Sequence, residues 1–179
     1  MMKQLYTYIL CVLLVGVACQ PINNPQHNTH TTYDSVFTSA DIQWHKQYYP
    51  TLNQQVFSID LLSSGLSFDS AYHISGTGTN LFLSDIFLPI SDSTLQEGTY
   101  RIDTTAASYT LLPYTNFEGQ FTGCYMLYIQ NDALTKYIGF TAGEMQVAYQ
   151  DPDVQINFTL YTADSTCYHA TYIGPYLQR

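Results

Sequence analysis

The chain has 179 residues and a formal net charge of −9, with five Lys and Arg against 14 Asp and Glu. That balance excludes a nucleic-acid partner, because holding a phosphate backbone needs clustered cations. The length suits one domain with a proper core.

The first residues, 1–4, carry one cation, Lys3, and residues 5–17 are mostly apolar. This run falls well short of the ~20 residues a spanning helix needs and fits the apolar core of a secretory signal. Gly16, Val17 and Ala18 then lead into Cys19. The stretch resembles a bacterial lipoprotein signal, in which the cysteine becomes the first mature residue and carries acyl chains. The usual leucine three positions before the cysteine is Gly16 here. The resemblance implies a signal over 1–18, lipid attachment at Cys19, and the membrane as partner through those chains. Several acyl chains on one residue suffice for stable anchoring. A cleaved signal with an incidental cysteine is the alternative.

Residues 20–32, "QPINNPQHNTHTT", carry no charged side chain and one aliphatic residue. Such a segment cannot bury enough surface to fold alone, and as a tether it holds a domain roughly 20 Å from its anchor. The predicted domain is therefore 33–179, behind an acylated cysteine and tether at 19–32.

Within it, "ADIQWHKQYYP" (40–50) is the only helix candidate, short and closed by Pro50; an irregular strand is the other reading. Strand patterns dominate elsewhere. Phe57, Ile59 and Leu61 alternate with polar residues, as do Met145, Val147 and Tyr149, and Val154, Ile156, Phe158 and Leu160. "NLFLSDIFLP" (80–89) and "GCYMLYIQ" (123–130) are continuously apolar, as in strands covered on both faces. Turn signals divide residues 119–175 into about five short strands, and Pro175 ends the last. The expectation is an all-β chain: one antiparallel β-sandwich or β-barrel.

The pieces "LQEGTYRID" (95–103), "GEMQVAYQDPDVQINFTLYTAD" (143–164) and "CYHATYIGPY" (167–176) resemble small all-β Bacteroidetes cell-envelope lipoproteins. The resemblance covers residues 56–176 and implies an outer-membrane location, with the periplasmic and surface faces both open. Proteins of that phylum are O-glycosylated at Asp-Ser/Thr followed by one of a small set of aliphatic residues or Thr. Five such triplets place candidate sites at Ser35, Ser70, Ser93, Thr104 and Ser165. The same dipeptides also initiate turns. In an oxidising compartment the remaining pair, Cys124 and Cys167, suggests a disulfide; two buried thiols are the alternative.

No catalytic set, cofactor site or metal site emerges. Cys167 and His169 sit at i and i+2 on a strand, nearly 7 Å apart along the backbone, whereas a working nucleophile and base need hydrogen-bond reach. Asp151 and Asp153 flank Pro152 in a turn, and Glu97, Glu118 and Glu144 each open a strand or turn. The unassigned feature is tyrosine, 17 in all. Trp44, Tyr48 and Tyr49 form one cluster, and Tyr109, Tyr114 and Phe117 another. Tyrosine among Ser, Thr, Asn and Gly is typical of recognition surfaces, and packing strands is its plainer role. These features suggest a membrane-anchored, non-catalytic binding module for protein or glycan. An inhibitor of secreted peptidases, entering a cleft through "GTGTN" or "LLPYTNFEG", is the alternative. A barrel enclosing a small apolar ligand comes third.

Overall fold

The computed structural model describes residues 32–71 and 73–179. The signal at 1–18, Cys19 and nearly all of the tether lie outside the described residues. Among the described residues there is no helix, and the all-β expectation holds.

The strands in chain order are β1 (Thr32–Phe37), β2 (Ser39–Trp44), β3 (Gln54–Leu62), β4 (Leu66–Phe68), β5 (Ile74–Gly76), β6 (Gly78–Pro89), β7 (Gly98–Ile102) and β8 (Thr110–Leu111). They continue with β9 (Thr115–Phe117), β10 (Gln120–Thr122), β11 (Cys124–Gln130), β12 (Ala133–Gly139), β13 (Ala142–Gln150), β14 (Asp153–Tyr161) and β15 (Cys167–Pro175). The helix candidate at 40–50 is half strand, in β2, and half irregular loop.

One large sheet runs β1-β15-β14-β13-β7-β8-β6-β11-β12, with β3 joining β6 to β2. It nearly closes into a barrel, because residues after β15 return to β2. Gln178 bridges Ile42 in parallel, and Arg179 exchanges backbone bonds with Ile42 and Trp44 at 3.0 and 2.9 Å. The sheet is mixed, not purely antiparallel: β1 runs parallel to β15, and β7 to β8. The predicted meander over 119–175 breaks in the middle. β11 and β12 form a hairpin on β6, while β13, β14 and β15 form a separate meander.

The period-two readings translate into a packed interior except at Tyr149, which is exposed. Phe57, Ile59, Leu61, Met145, Val154, Ile156 and Leu160 are fully buried, and Phe158 and Val147 nearly so. They meet Tyr100, Leu111, Met126, Phe140 and Tyr172 in one continuous cluster. Each fully buried aliphatic side chain is worth about 1.5–3 kcal/mol relative to exposure.

Several tyrosines bind backbone through their hydroxyls. Tyr100 donates to the Gln96 carbonyl at 2.7 Å and accepts from its N–H at 3.0 Å. Tyr149 donates to the Leu95 carbonyl, and Tyr176 accepts from the Leu95 N–H. Glu97 accepts the Tyr149 N–H at 2.7 Å. Tyr100 of the adjoining strand, Tyr149 of β13 and Tyr176 just after β15 thus fasten the turn that precedes "GTY".

β6 positions the candidate site. Its first half pairs β11 and its second half pairs β8. At the changeover Ile59 faces Leu83 and Phe57 faces Ile86, so Ser84 and Asp85 together oppose Ser58. This bulge holds Asp85 at φ 54°, a left-handed conformation that aspartate tolerates better than most residues.

Candidate functional site

A cavity of about 390 Å³ opens over that bulge. β2 and the loop after it contribute His45, Tyr48 and Tyr49; β3 contributes Ser58; β6 contributes Phe82, Ser84 and Asp85; β10 contributes Phe121. The loop is held by backbone bonds from His45 N–H to Val56 and from Val56 N–H to Lys46, both 2.9 Å. The β9–β10 hairpin turns through Glu118 and Gly119, both at positive φ, with Asn116 accepting the Gly119 N–H.

Polar groups converge on the cavity wall. Tyr49 donates to Asp85 Oδ1 at 2.6 Å, and Ser84 donates to Asp85 Oδ2 at 2.8 Å. The Gly123 N–H donates to Ser84 Oγ at 2.8 Å. Gly123 itself is obligatory here: a Cβ would stand 2.1 Å from the Pro113 carbonyl oxygen. His45 Nε2 and Ser58 Oγ share a hydrogen bond of 2.8 Å. Burial, then the Asp85 carboxylate, pushes the Tyr49 phenol above its ordinary value.

Aromatic rings extend from the cavity across the outer surface. Phe82 lies 5.2 Å from Tyr125, Tyr125 5.6 Å from Phe121, and Phe121 4.7 Å from Tyr137. Tyr114 touches the same group at 6.0 Å from Phe121. It lies over Gly139, where a Cβ would come within 2.1 Å of its ring. Beside the band, burial raises the Asp60 carboxyl to about 6, against a bond from Asn80 that favours the charge. Asp41, opposite Asp60 in the register, is lowered. Burial opposes its charge, but two bonds from Arg179 and one from Gln43 outweigh it.

The aromatic candidates read from the sequence divide. Tyr48 and Tyr49 line the cavity, edge to face at 5.0 Å, and Tyr114 joins the band. Trp44 does not line it; its indole N–H donates to Gln55 at 3.0 Å and Lys46 sits over its ring. Tyr109 packs against Tyr100 at 5.3 Å on the core side. Phe117 is 72% exposed at the end of β9. Phe82, Phe121, Tyr125, Tyr137 and Asp85 were not singled out in the sequence. The polar pair Ser84-Asp85 inside "NLFLSDIFLP" is the signal that marks the bulge.

Cys124 and Cys167 are both free thiols, so the suggested disulfide is not formed. Cys124 is fully buried in the core on β11, whose neighbours are β6 and β12. Cys167 begins β15 on the outer face, beside Tyr161 of β14. The reach argument against Cys167 and His169 is also corrected. Cys167 Sγ lies 3.7 Å from His169 Nε2, because the two side chains lean together along the strand. His169 Nδ1 meets Thr159 Oγ1 at 3.3 Å.

Four of the Asp-Ser/Thr triplets lie in turns, with Ser70, Ser93, Thr104 and Ser165 exposed. In three of them the aspartate accepts the N–H two residues on: Asp69 from Ala71, Asp103 from Thr105, and Asp164 from Thr166. Ser35 is half-buried in β1. Among the described residues no three His, Cys, Asp or Glu converge as a metal site would require.

No family model, curated protein or solved structure matches this chain.

Proposed function

We propose that this chain is a membrane-anchored, non-catalytic binding module of the cell envelope whose ligand is a glycan, held over the β6 bulge. The observation that carries this is the continuity of the Phe82–Tyr125–Phe121–Tyr137 band with a cavity offering Asp85, Ser84, Tyr49 and His45. Ring faces stack on the apolar faces of sugars, and carboxylate and hydroxyl groups take their hydroxyls. The interior of the barrel is filled by side chains, so an enclosed apolar ligand gains no support. The anchor is acylation at Cys19, which Cys19→Ser would abolish in a metabolic acyl-labelling experiment.

A glycan array probed with the purified chain tests the ligand. Retention of a defined glycan, lost on Phe121→Ala, supports the reading; an array without retained glycans removes it.

One observation favours the second reading, inhibition of a secreted peptidase. The end of "LLPYTNFEG", residues 115–119, is exposed and leads the β9–β10 hairpin that carries Phe117, a shape suited to an active-site cleft, whereas Leu111 at its start is buried in the core. Unchanged activity of serine, cysteine and metallo-peptidases in the presence of the chain eliminates it.

A further inference from the structure

The cavity over the bulge has an unbalanced charge. Asp85 is half-buried in its wall, and its two recorded donors, Tyr49 and Ser84, are both neutral. A carboxylate has about four acceptor positions, so two donors leave capacity for more. Among the described residues, the cavity lining contains no Lys or Arg. The nearest cation in sequence, Lys46, has its ammonium 5.9 Å from the Trp44 ring centroid, and Trp44 is outside the lining. Arg179 binds Asp41 through two bonds. The titratable groups facing Asp85 are therefore His45, Tyr48 and Tyr49, all from one loop.

Around this carboxylate stand four aromatic rings, those of Tyr48, Tyr49, Phe82 and Phe121. Ring faces are electronegative and attract cations, most strongly where water is thinned out. A carboxylate among aromatic faces, without a protein cation, matches a positively charged guest better than a neutral one. The chain's net charge of −9 adds a long-range attraction of the same sign.

We infer that the cavity binds a protonated amine, with Asp85 as counter-ion and the rings of Tyr48, Tyr49, Phe82 and Phe121 as walls. This rests on the proposed binding role and narrows it to ligands that present an ammonium group. Within that reading the ligand is an amino sugar of a glycan; a lysine side chain of a protein, which presents the same group, is an outcome of the test.

Calorimetric titration of the intact chain separates the cases. The probes are glucosamine against its neutral counterpart N-acetylglucosamine, and Nα-acetyl-lysine methylamide against its Nε-acetylated form. The expected result is that one amine binds about tenfold more tightly than its neutral counterpart. That preference should vanish in Asp85→Asn, which can keep the left-handed backbone. Preference for glucosamine supports the amino-sugar ligand, and preference for the lysine derivative alone overturns it in favour of a protein. Equal binding of amine and neutral sugar overturns the inference and leaves the glycan reading standing. Binding of none of the four up to their solubility limits overturns the inference as well, leaving the glycan reading to the array. An amine preference unchanged in Asp85→Asn also overturns the assignment to this cavity.

Discussion

Tyr49 and Asp85, 36 positions apart in the chain, are joined by a 2.6 Å hydrogen bond. The bond ties the irregular loop after β2 to the bulge where β6 changes partners. Tyr49→Phe removes the donor and keeps the ring. The expected cost is about 1 kcal/mol, confined to the loop. Amides of residues 45–53 should exchange faster with solvent while those of β13 and β14 stay protected.

Gly139→Ala tests how tightly the aromatic band is set. The new methyl would stand 2.1 Å from the Tyr114 ring, so that ring must move. Overpacking of this kind costs about 1–3 kcal/mol. Denaturant unfolding should show that loss, near-UV circular dichroism should change, and glycan retention should fall with it.

Asp60 makes stability depend on pH in an unusual direction. Its carboxyl is raised from 3.8 to about 6, mainly by burial. The native state holds the proton more tightly than the unfolded chain, so this residue favours folding below pH 4. The advantage is lost as pH rises from 4 to 6, and the penalty is complete above 6. Asp60→Asn keeps an acceptor for Asn80 and removes the charge. It should stabilise the chain at pH 7.5 by about 1–3 kcal/mol and have little effect at pH 3.5. Thermal melts at the two pH values measure the difference.

The two described thiols should differ sharply in reactivity. Burial pushes the Cys124 thiol far up, and its sulfur has no path to solvent. Cys167, buried at 8% exposure, faces outward against the exposed ring of His169. Iodoacetamide at pH 7.5, followed by peptide mass spectrometry, should label Cys167 first and Cys124 only on unfolding. His169→Asn removes the imidazole nitrogen 3.7 Å from the sulfur and should slow labelling of Cys167.

Tyr100→Phe removes a hydroxyl that both donates to and accepts from Gln96. The expected loss is about 1–2 kcal/mol in denaturant unfolding, large for a change of one atom because the Gln96 groups lose their fixed partner.

The alternation at 154–161 and 145–147 made the buried faces of β13 and β14 legible, since a period of two depends only on neighbouring residues. The closure of the sheet was not legible. It depends on Gln178 meeting Ile42, a pairing across most of the chain with no local signature. The site was half legible for the same reason. Tyr48 and Tyr49 adjoin in sequence and were readable as a cluster, whereas Phe82, Tyr125 and Tyr137 meet only through the pairing of β6, β11 and β12, and Phe121 reaches them from β10. Cys167 and His169 show the reverse error. Backbone spacing set them apart, and side-chain length closed the gap.

The parallel pairing of β1 with β15 has a mechanical meaning. Six residues of β1, from Thr32 to Phe37, stand in register with Cys167 to Tyr172. Under the proposed anchoring, tension enters the domain at Thr32 and runs along the axis of β1. The load therefore shears the β1–β15 ladder, and its hydrogen bonds resist together instead of opening one after another. A domain hung in this way meets a pull at Thr32 in shear across six paired residues.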